Sequence, residues 1–230
     1  MNHFSISRDG FFVALVVLVV VFFPGWLGAC ENLPGSCSQI DVAWEDASNP
    51  RQPSSQHLTL LGLRVGQSTI KDVRAKLGAA PLMHRDECGG KAYCFESPRG
   101  EEPVTLIVDL WGDSLRSVTM ETGRMRNHRC ASSHLVNVGL GTDGGLRLGM
   151  TSREVERLLG APNKETPHGI AYSFETRPRM SEDDIRSLEA DGLVRAEILE
   201  DPFWNEWSII RVGFHNSKVQ CFSVERTETW

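Results

Sequence analysis

The feature of this sequence that most constrains its fold is a phrase that occurs twice. The second copy, at residues 146–162, is LRLGMTSREVERLLGAP, and the first, at residues 63–81, is LRVGQSTIKDVRAKLGAAP. In each copy a threonine (Thr69, Thr151) precedes an acid by three residues, which is the signature of a capping box at a helix start. A glycine and a proline then end the helical pattern. The phrase predicts two short helices, the second at Ser152–Leu159.

Similar strands follow both copies. The segment AYCFE at 92–96 corresponds to AYSFE at 171–175, and the alternating segment at 106–120 corresponds to 210–224. We therefore expect an α+β fold of two tandem repeats, each with a short N-terminal helical element packed on an antiparallel sheet of three to four strands. A unit of ~75 residues buries only about 60% of its unfolded surface, so the two units should share or abut one core.

Composition indicates how the rest of the chain is divided into segments. Residues 1–29 contain a long apolar run after Arg8 and predict an export signal. Residues 30–56 are rich in Ser, Pro, Asn and Asp and predict a flexible tether. The expected domains are repeat 1 at 57–127, a linker at 128–145 and repeat 2 at 146–230, with an insertion at 176–207.

The end of the export signal bears on how the chain is anchored. Leu27-Gly28-Ala29-Cys30 resembles the lipobox of bacterial lipoproteins, in which the cysteine becomes the lipidated first residue. Two alternatives stay open: cleavage by the ordinary signal peptidase near Ala29, and retention of the segment as a membrane anchor.

Six cysteines suit an oxidising compartment. We expect Cys88 to pair with Cys94, because Gly89 and Gly90 between them allow a tight turn. A second, weaker pairing is Cys130 with Cys221. Cys37 is then unpaired, unless it pairs with an unlipidated Cys30.

The repeated pattern resembles a known family. Gly149-Met150-Thr151, Glu154-Val155, Leu159-Gly160 and Pro162 resemble the BamE/SmpA-like domain of bacterial outer-membrane assembly lipoproteins. The tandem arrangement is also similar to the β-lactamase inhibitory protein fold. The resemblance covers roughly residues 61–224 without the insertion. It implies a periplasmic or secreted binding module with helices on one side of antiparallel sheets.

Catalytic and nucleic-acid signatures are missing from the sequence. A net charge of -6 without a visible basic face argues against nucleic acid as a partner. The P-loop, the dinucleotide fingerprint, HExxH and the nucleophile elbow are absent from the sequence. His128, Cys130 and His134 lie in a polar linker, where such a cluster is more often solvated than metal-binding. We predict no enzyme activity, metal, cofactor or small-molecule substrate.

Four side chains are expected to form a partner-binding surface: Trp111, Trp204, Trp207 and His215. Strand alternation places Trp111 and His215 on the outward face, and interface hot spots are enriched in tryptophan. The alternative is a second sheet face covered by the insertion.

The function expected from these features is a non-catalytic lipoprotein-like module that binds envelope proteins, with outer-membrane assembly or integrity as the process. Its expected location is the outer membrane, facing the periplasm, with inner-membrane anchoring or secretion as alternatives. Two other functions stay open: an inhibitor of an extracellular enzyme, resembling the β-lactamase inhibitory protein, and a hydrolase with an unrecognised site.

Overall fold

A computed structural model describes Cys37, Ile40, residues 54–85, 89–125, 128–190, Gly192 and residues 202–229. The described helices are α1 (Ile70–Leu77), α2 (Ser152–Leu159) and α3 (Glu182–Ala190). The strands are β1 (Thr59–Leu60), β2 (Leu63–Arg64), β3 (Leu82–Arg85), β4 (Gly90–Glu96), β5 (Val104–Trp111), β6 (Ser114–Thr122), β7 (Ala131–Ser132), β8 (Lys164–Thr166), β9 (Gly169–Thr176), β10 (Asn205–His215) and β11 (Lys218–Thr229). The export signal, the lipobox with Cys30 and most of the tether lie outside the described residues.

The capping signals position the helices as predicted. At α2 the Thr151 amide donates to a Glu154 carboxylate oxygen at 2.7 Å, and the Glu154 amide donates back to the Thr151 hydroxyl at 3.3 Å. At α1 the Thr69 amide donates to the Asp72 carboxylate at 2.7 Å. These bonds stabilise the ionised carboxylates, so the pKa of Asp72 and that of Glu154 are lowered. The predicted bounds of α2 are confirmed.

Most strands form one continuous, mainly antiparallel sheet. Its order is β3-β4-β5-β6-β11-β10-β9-β8, and β7 pairs in parallel with β4. Residues 112–113 and 216–217 each join two long strands as a two-residue hairpin. Asn216 and Ser217 have φ angles of 50° and 60°, which match the twist of antiparallel strands. The α+β class with an antiparallel sheet is confirmed.

Both α1 and α2 pack on the same face of this sheet, which we call the core face. One cluster of buried side chains includes Val73 of α1, Val155 of α2 and inward residues of the central strands, such as Leu106 and Ile210. Tyr172 is fully buried in the same cluster, and its hydroxyl donates to the Gly160 carbonyl at 3.1 Å. This side of the sheet therefore forms the main core.

The opposite face, which we call the outer face, departs from the sequence prediction. Thr105 and Ile107 alternate in step with Trp111, on the side that the pattern places towards water or a partner, but their exposed fractions are 0% and 2%. Ile107 packs with Cys94 and Met125, so a segment beyond β6 folds back over it. A side chain that points to the outer face is therefore still buried where a later segment covers the sheet.

The predicted disulfides are wrong. Cys94 pairs with Cys130, and Cys37 pairs with Cys221. The predicted Cys130–Cys221 pair is excluded because Cys130 is bonded to Cys94 on β4, which lies three strand spacings from Cys221 on β11. That separation is about 14 Å, well beyond the ~7 Å that a disulfide spans. Ala131 pairs beside Phe95, which brings Cys130 to Cys94 and takes it away from Cys221. Cys88 lies outside the described residues.

The predicted insertion is shorter than expected. Strand β9 ends at Thr176 and β10 begins at Asn205, so the segment between them is 177–204 and Trp207 lies in a strand. Ser181 and Asp184 cap α3, with the Ser181 amide donating to the Asp184 carboxylate at 2.8 Å. Within the described parts of the chain, no helix is long and apolar enough to span a membrane.

Candidate functional site

The middle of the outer face presents a surface that we call the central strip. Strand register aligns Asp109, Ser117, Glu225 and Ile209 in one row across β5, β6, β11 and β10. The neighbouring row contains Thr119, Ser223 and Arg211. Side chains directly opposite one another on paired strands project from the same face. The central strip is therefore a contiguous surface of mixed polar, charged and apolar groups.

Two disulfide-linked segments cover the regions on either side of the strip. On one side the Cys94–Cys130 bond accompanies the packing of Met125 over β4 and β5. On the other, Cys37 is bonded to Cys221 of β11, and Ile40 packs against Ala171 of β9. The strip between them keeps half-buried side chains such as Ser117, Thr119 and Ile209 in contact with solvent.

An ion-pair cluster lies within the strip. Glu225 accepts from Arg211 at 2.8 Å and from Arg116 at 3.2 Å, and Arg211 also donates to the Ile40 carbonyl at 3.1 Å. Burial alone would raise the pKa of Glu225, but the two guanidinium groups reverse that effect and lower it. The charges are thus held in fixed positions, which reduces the side-chain entropy that a partner would have to remove.

Trp111 stands at the edge of the strip, at the end of β5. Its side chain is 48% exposed, and the Arg116 guanidinium carbon lies 5.6 Å from the ring centroid. This cation–π contact orients an aromatic ring that remains available to a partner. Tryptophan and arginine are the residue types most enriched in binding hot spots.

The four predicted contact residues do not lie together. Trp111 and Trp207 are at the same end of the sheet, because β10 begins where the β5–β6 hairpin turns. His215 is exposed at the opposite hairpin, about 30 Å away along the strands. A standard interface of ~800 Å² per partner is about that wide, so Trp111 and His215 cannot belong to one hot-spot cluster.

Trp204 has a local structural environment. It is half-buried against the small cluster formed by Met180 and Leu188, which joins α3 to the end of its segment. A hydrogen bond links its side chain to Asp184. These contacts give Trp204 a role in holding α3 in place.

Sequence reasoning missed the ion-pair cluster of the strip. Arg116 and Glu225 are 109 residues apart, and nothing near either residue indicates that they meet. Pairing β6 with β11 would have revealed the contact, since Ser117 then lies opposite Glu225. In the described part of the chain, no group of three or more His, Cys, Asp or Glu side chains could hold a metal ion.

Comparison with known proteins adds little. No protein-family model and no curated protein matches the chain. A cysteine-rich secretory protein from Staphylococcus aureus subsp. aureus Mu50 is 17% identical over 74% of this chain and 46% of that protein, with a TM-score of 0.37. A candidate β-lactamase inhibitor protein from Streptococcus mutans is 11% identical over 70% of this chain and 82% of that protein, with a TM-score of 0.20.

This chain therefore spans less than half of the length of the staphylococcal protein. At these TM-scores neither similarity carries an argument about fold or function. The two disulfides of the described residues are typical of a protein that leaves the reducing cytoplasm.

Proposed function

We propose that this chain is a non-catalytic protein-binding module of the bacterial envelope, and that it binds its partner through the central strip and Trp111. The observation that carries the proposal is an exposed, oriented tryptophan beside a preorganised ion-pair cluster, on the part of the outer face that the described segments leave partly exposed. Enzyme inhibition by the same surface remains the alternative that the resemblance to the inhibitory fold suggests.

Matching contacts in the two halves of the chain support the tandem BamE/SmpA-like part of the proposal. The Gly66 amide donates to the Leu115 carbonyl at 2.7 Å, and the Gly149 amide donates to the Val219 carbonyl at 2.8 Å. The sheet order is also symmetric about the β6–β11 pair: β3, β4, β5 and β6 lie on one side, and β8, β9, β10 and β11 lie on the other in the matching order. Helix α1 precedes the edge strand β3 in sequence, and α2 precedes the edge strand β8. Such matching contacts are expected of two copies of one unit joined at their last strands.

The size of the strip limits how it binds. Four strands at ~4.8 Å spacing and about six residues at ~3.4 Å give an area of about 400 Å². A stable interface buries about 800 Å² on each partner. The proposed partner must therefore also contact the rim, and Trp207 and the β5–β6 hairpin are at the nearest end.

The test compares two exposed apolar side chains. Trp111→Ala removes the proposed contact, and Leu135→Ala is the matched control, because Leu135 is 41% exposed beside the core residue Val136. Each full-length protein is crosslinked in cells and recovered from membranes. We expect Trp111→Ala to reduce the crosslinked partner about tenfold or more while Leu135→Ala leaves it unchanged. Equal recovery with both variants would refute binding through the strip.

Membrane attachment has its own test. Cys37, Cys94, Cys130 and Cys221 are used in disulfides, which leaves Cys30 and Cys88 outside those two pairs. We propose that Cys30 carries lipid, with location at the outer membrane. Palmitate label should enter the protein and be lost in Cys30→Ala but retained in Cys88→Ala. Unlabelled wild-type protein would contradict the lipid anchor without affecting the partner-binding test.

A further inference from the structure

A basic cleft lies on the core face, on the other side of the sheet from the central strip. Its volume is about 410 Å³. Ser55, Leu58 and Arg64 line it from the segment before α1, and Ser208 and Arg226 line it from β10 and β11. Ser208 of β10 lies opposite Arg226 of β11. Arg226 is two residues beyond the buried Val224 on the same face of β11, so the cleft opens where the main core ends.

The charge of this cleft is opposite to that of the protein. Arg64, Arg177 and Arg226 line it, and Glu206 is the one acidic residue among its lining side chains. The local formal charge is therefore positive, although the whole chain carries a net charge of -6. A general excess of basic residues cannot explain this concentration of guanidinium groups.

The surrounding contacts fix the positions of these groups. The Arg226 guanidinium pairs with a Glu206 carboxylate oxygen, and that same oxygen accepts from the Thr176 hydroxyl at 2.9 Å. The stem of Arg226 lies against Gly66, where an added Cβ would be only 2.5 Å from Arg226 Cδ. Glycine at this position thus provides the space that the Arg226 side chain occupies.

Arg64 contributes a buried donor atom that the fold does not satisfy. Its Nε is buried and has no hydrogen-bond partner among the described residues. A buried charged donor without a partner is unfavourable, so such groups are normally paired. A guanidinium fork is suited to bidentate contact with a carboxylate or phosphate group.

We propose that this cleft binds a small oxyanion of the phosphate or carboxylate class, with Arg64 as the principal ligand. The hydroxyl groups of Ser55 and Ser208 provide neutral donors at the same site, and Leu58 and Pro178 provide an apolar wall. The site is independent of the proposed partner surface, because it opens on the opposite face of the sheet.

Titration calorimetry on the full chain in non-ionic detergent tests the proposal, with inorganic phosphate and citrate as probes and sodium chloride at matched ionic strength. Arg64→Gln should weaken binding of the preferred probe about tenfold or more, because one charge-assisted contact is lost. Arg153→Gln is the matched control, since Arg153 is exposed on α2 outside the cleft.

Glu206→Gln keeps an acceptor for Thr176 but removes the negative charge, so it should tighten binding. This variant also keeps the test decisive if Arg64→Gln does not fold, which circular dichroism would reveal. Saturable binding of either probe with this pattern supports the site and identifies the anion class. Binding of neither probe, equal weakening by Arg64→Gln and Arg153→Gln, or unchanged binding in Glu206→Gln would overturn it.

Discussion

The two disulfides should contribute unequally to stability, because they close loops of different length. Cys94 and Cys130 are 36 residues apart, and Cys37 and Cys221 are 184 residues apart. Loop-closure entropy predicts that Cys94→Ala/Cys130→Ala lowers the free energy of unfolding by about 4 kcal/mol. The same relation gives about 5 kcal/mol for Cys37→Ala/Cys221→Ala. The longer loop should therefore contribute about 1.4 kcal/mol more.

Urea unfolding of the full chain, followed by circular dichroism, measures both losses against the wild type. Peptide mapping without reductant should first recover one fragment that joins Cys94 to Cys130. A fragment joining Cys88 to Cys94 would refute the pairing itself. If the Cys94/Cys130 variant loses as much as the Cys37/Cys221 variant or more, entropy of the unfolded chain is not the main source of stabilisation. The cover over Ile107 would then be the better explanation.

Two further outcomes are expected from single substitutions. Glu225 has a lowered pKa, so its ionised form stabilises the fold above about pH 4.3, and this contribution is lost as the pH falls through the folded pKa. Acid titration of stability should be flatter in Glu225→Gln, and an unchanged acid slope would contradict the role of Arg211 and Arg116. Tyr172→Phe leaves the Gly160 carbonyl without its donor and should lower the free energy of unfolding by about 1–2 kcal/mol. Tyr93 is half-buried, and Tyr93→Phe should change the same free energy by less than about 0.5 kcal/mol. Urea unfolding measures both.

Local features of the fold could be predicted because their causes lie within a few residues. The start of α2 follows from Thr151 and Glu154, and the hairpin at 216–217 follows from polar residues between two alternating segments. The disulfides could not be predicted in the same way. Their partners depend on which distant segments lie beside one another, and the β4–β7 pairing brings Cys130 to Cys94.

The candidate sites were predictable only in part, for the same reason. Alternation correctly indicated that Trp111 is exposed, because that property depends on its own strand and turn. The ion pairs around Glu225 and the arginine cleft join segments far apart in sequence. A pattern read along one segment contains no information on which other segment lies beside it.

The proposed duplication sharpens the argument for the arginine cleft. Arg226 and Thr122 are 104 residues apart, as are Glu206 and Glu102, and the repeat alignment makes each pair equivalent. Thr122 and Glu102 line a second cleft of about 440 Å³, together with Gly149, the counterpart of Gly66. The fold therefore forms a cleft at both ends of the core. The counterpart of Arg64 is Arg147, which does not line the second cleft, and Thr122 stands in place of Arg226, so the arginine concentration of the first cleft is not repeated in the second.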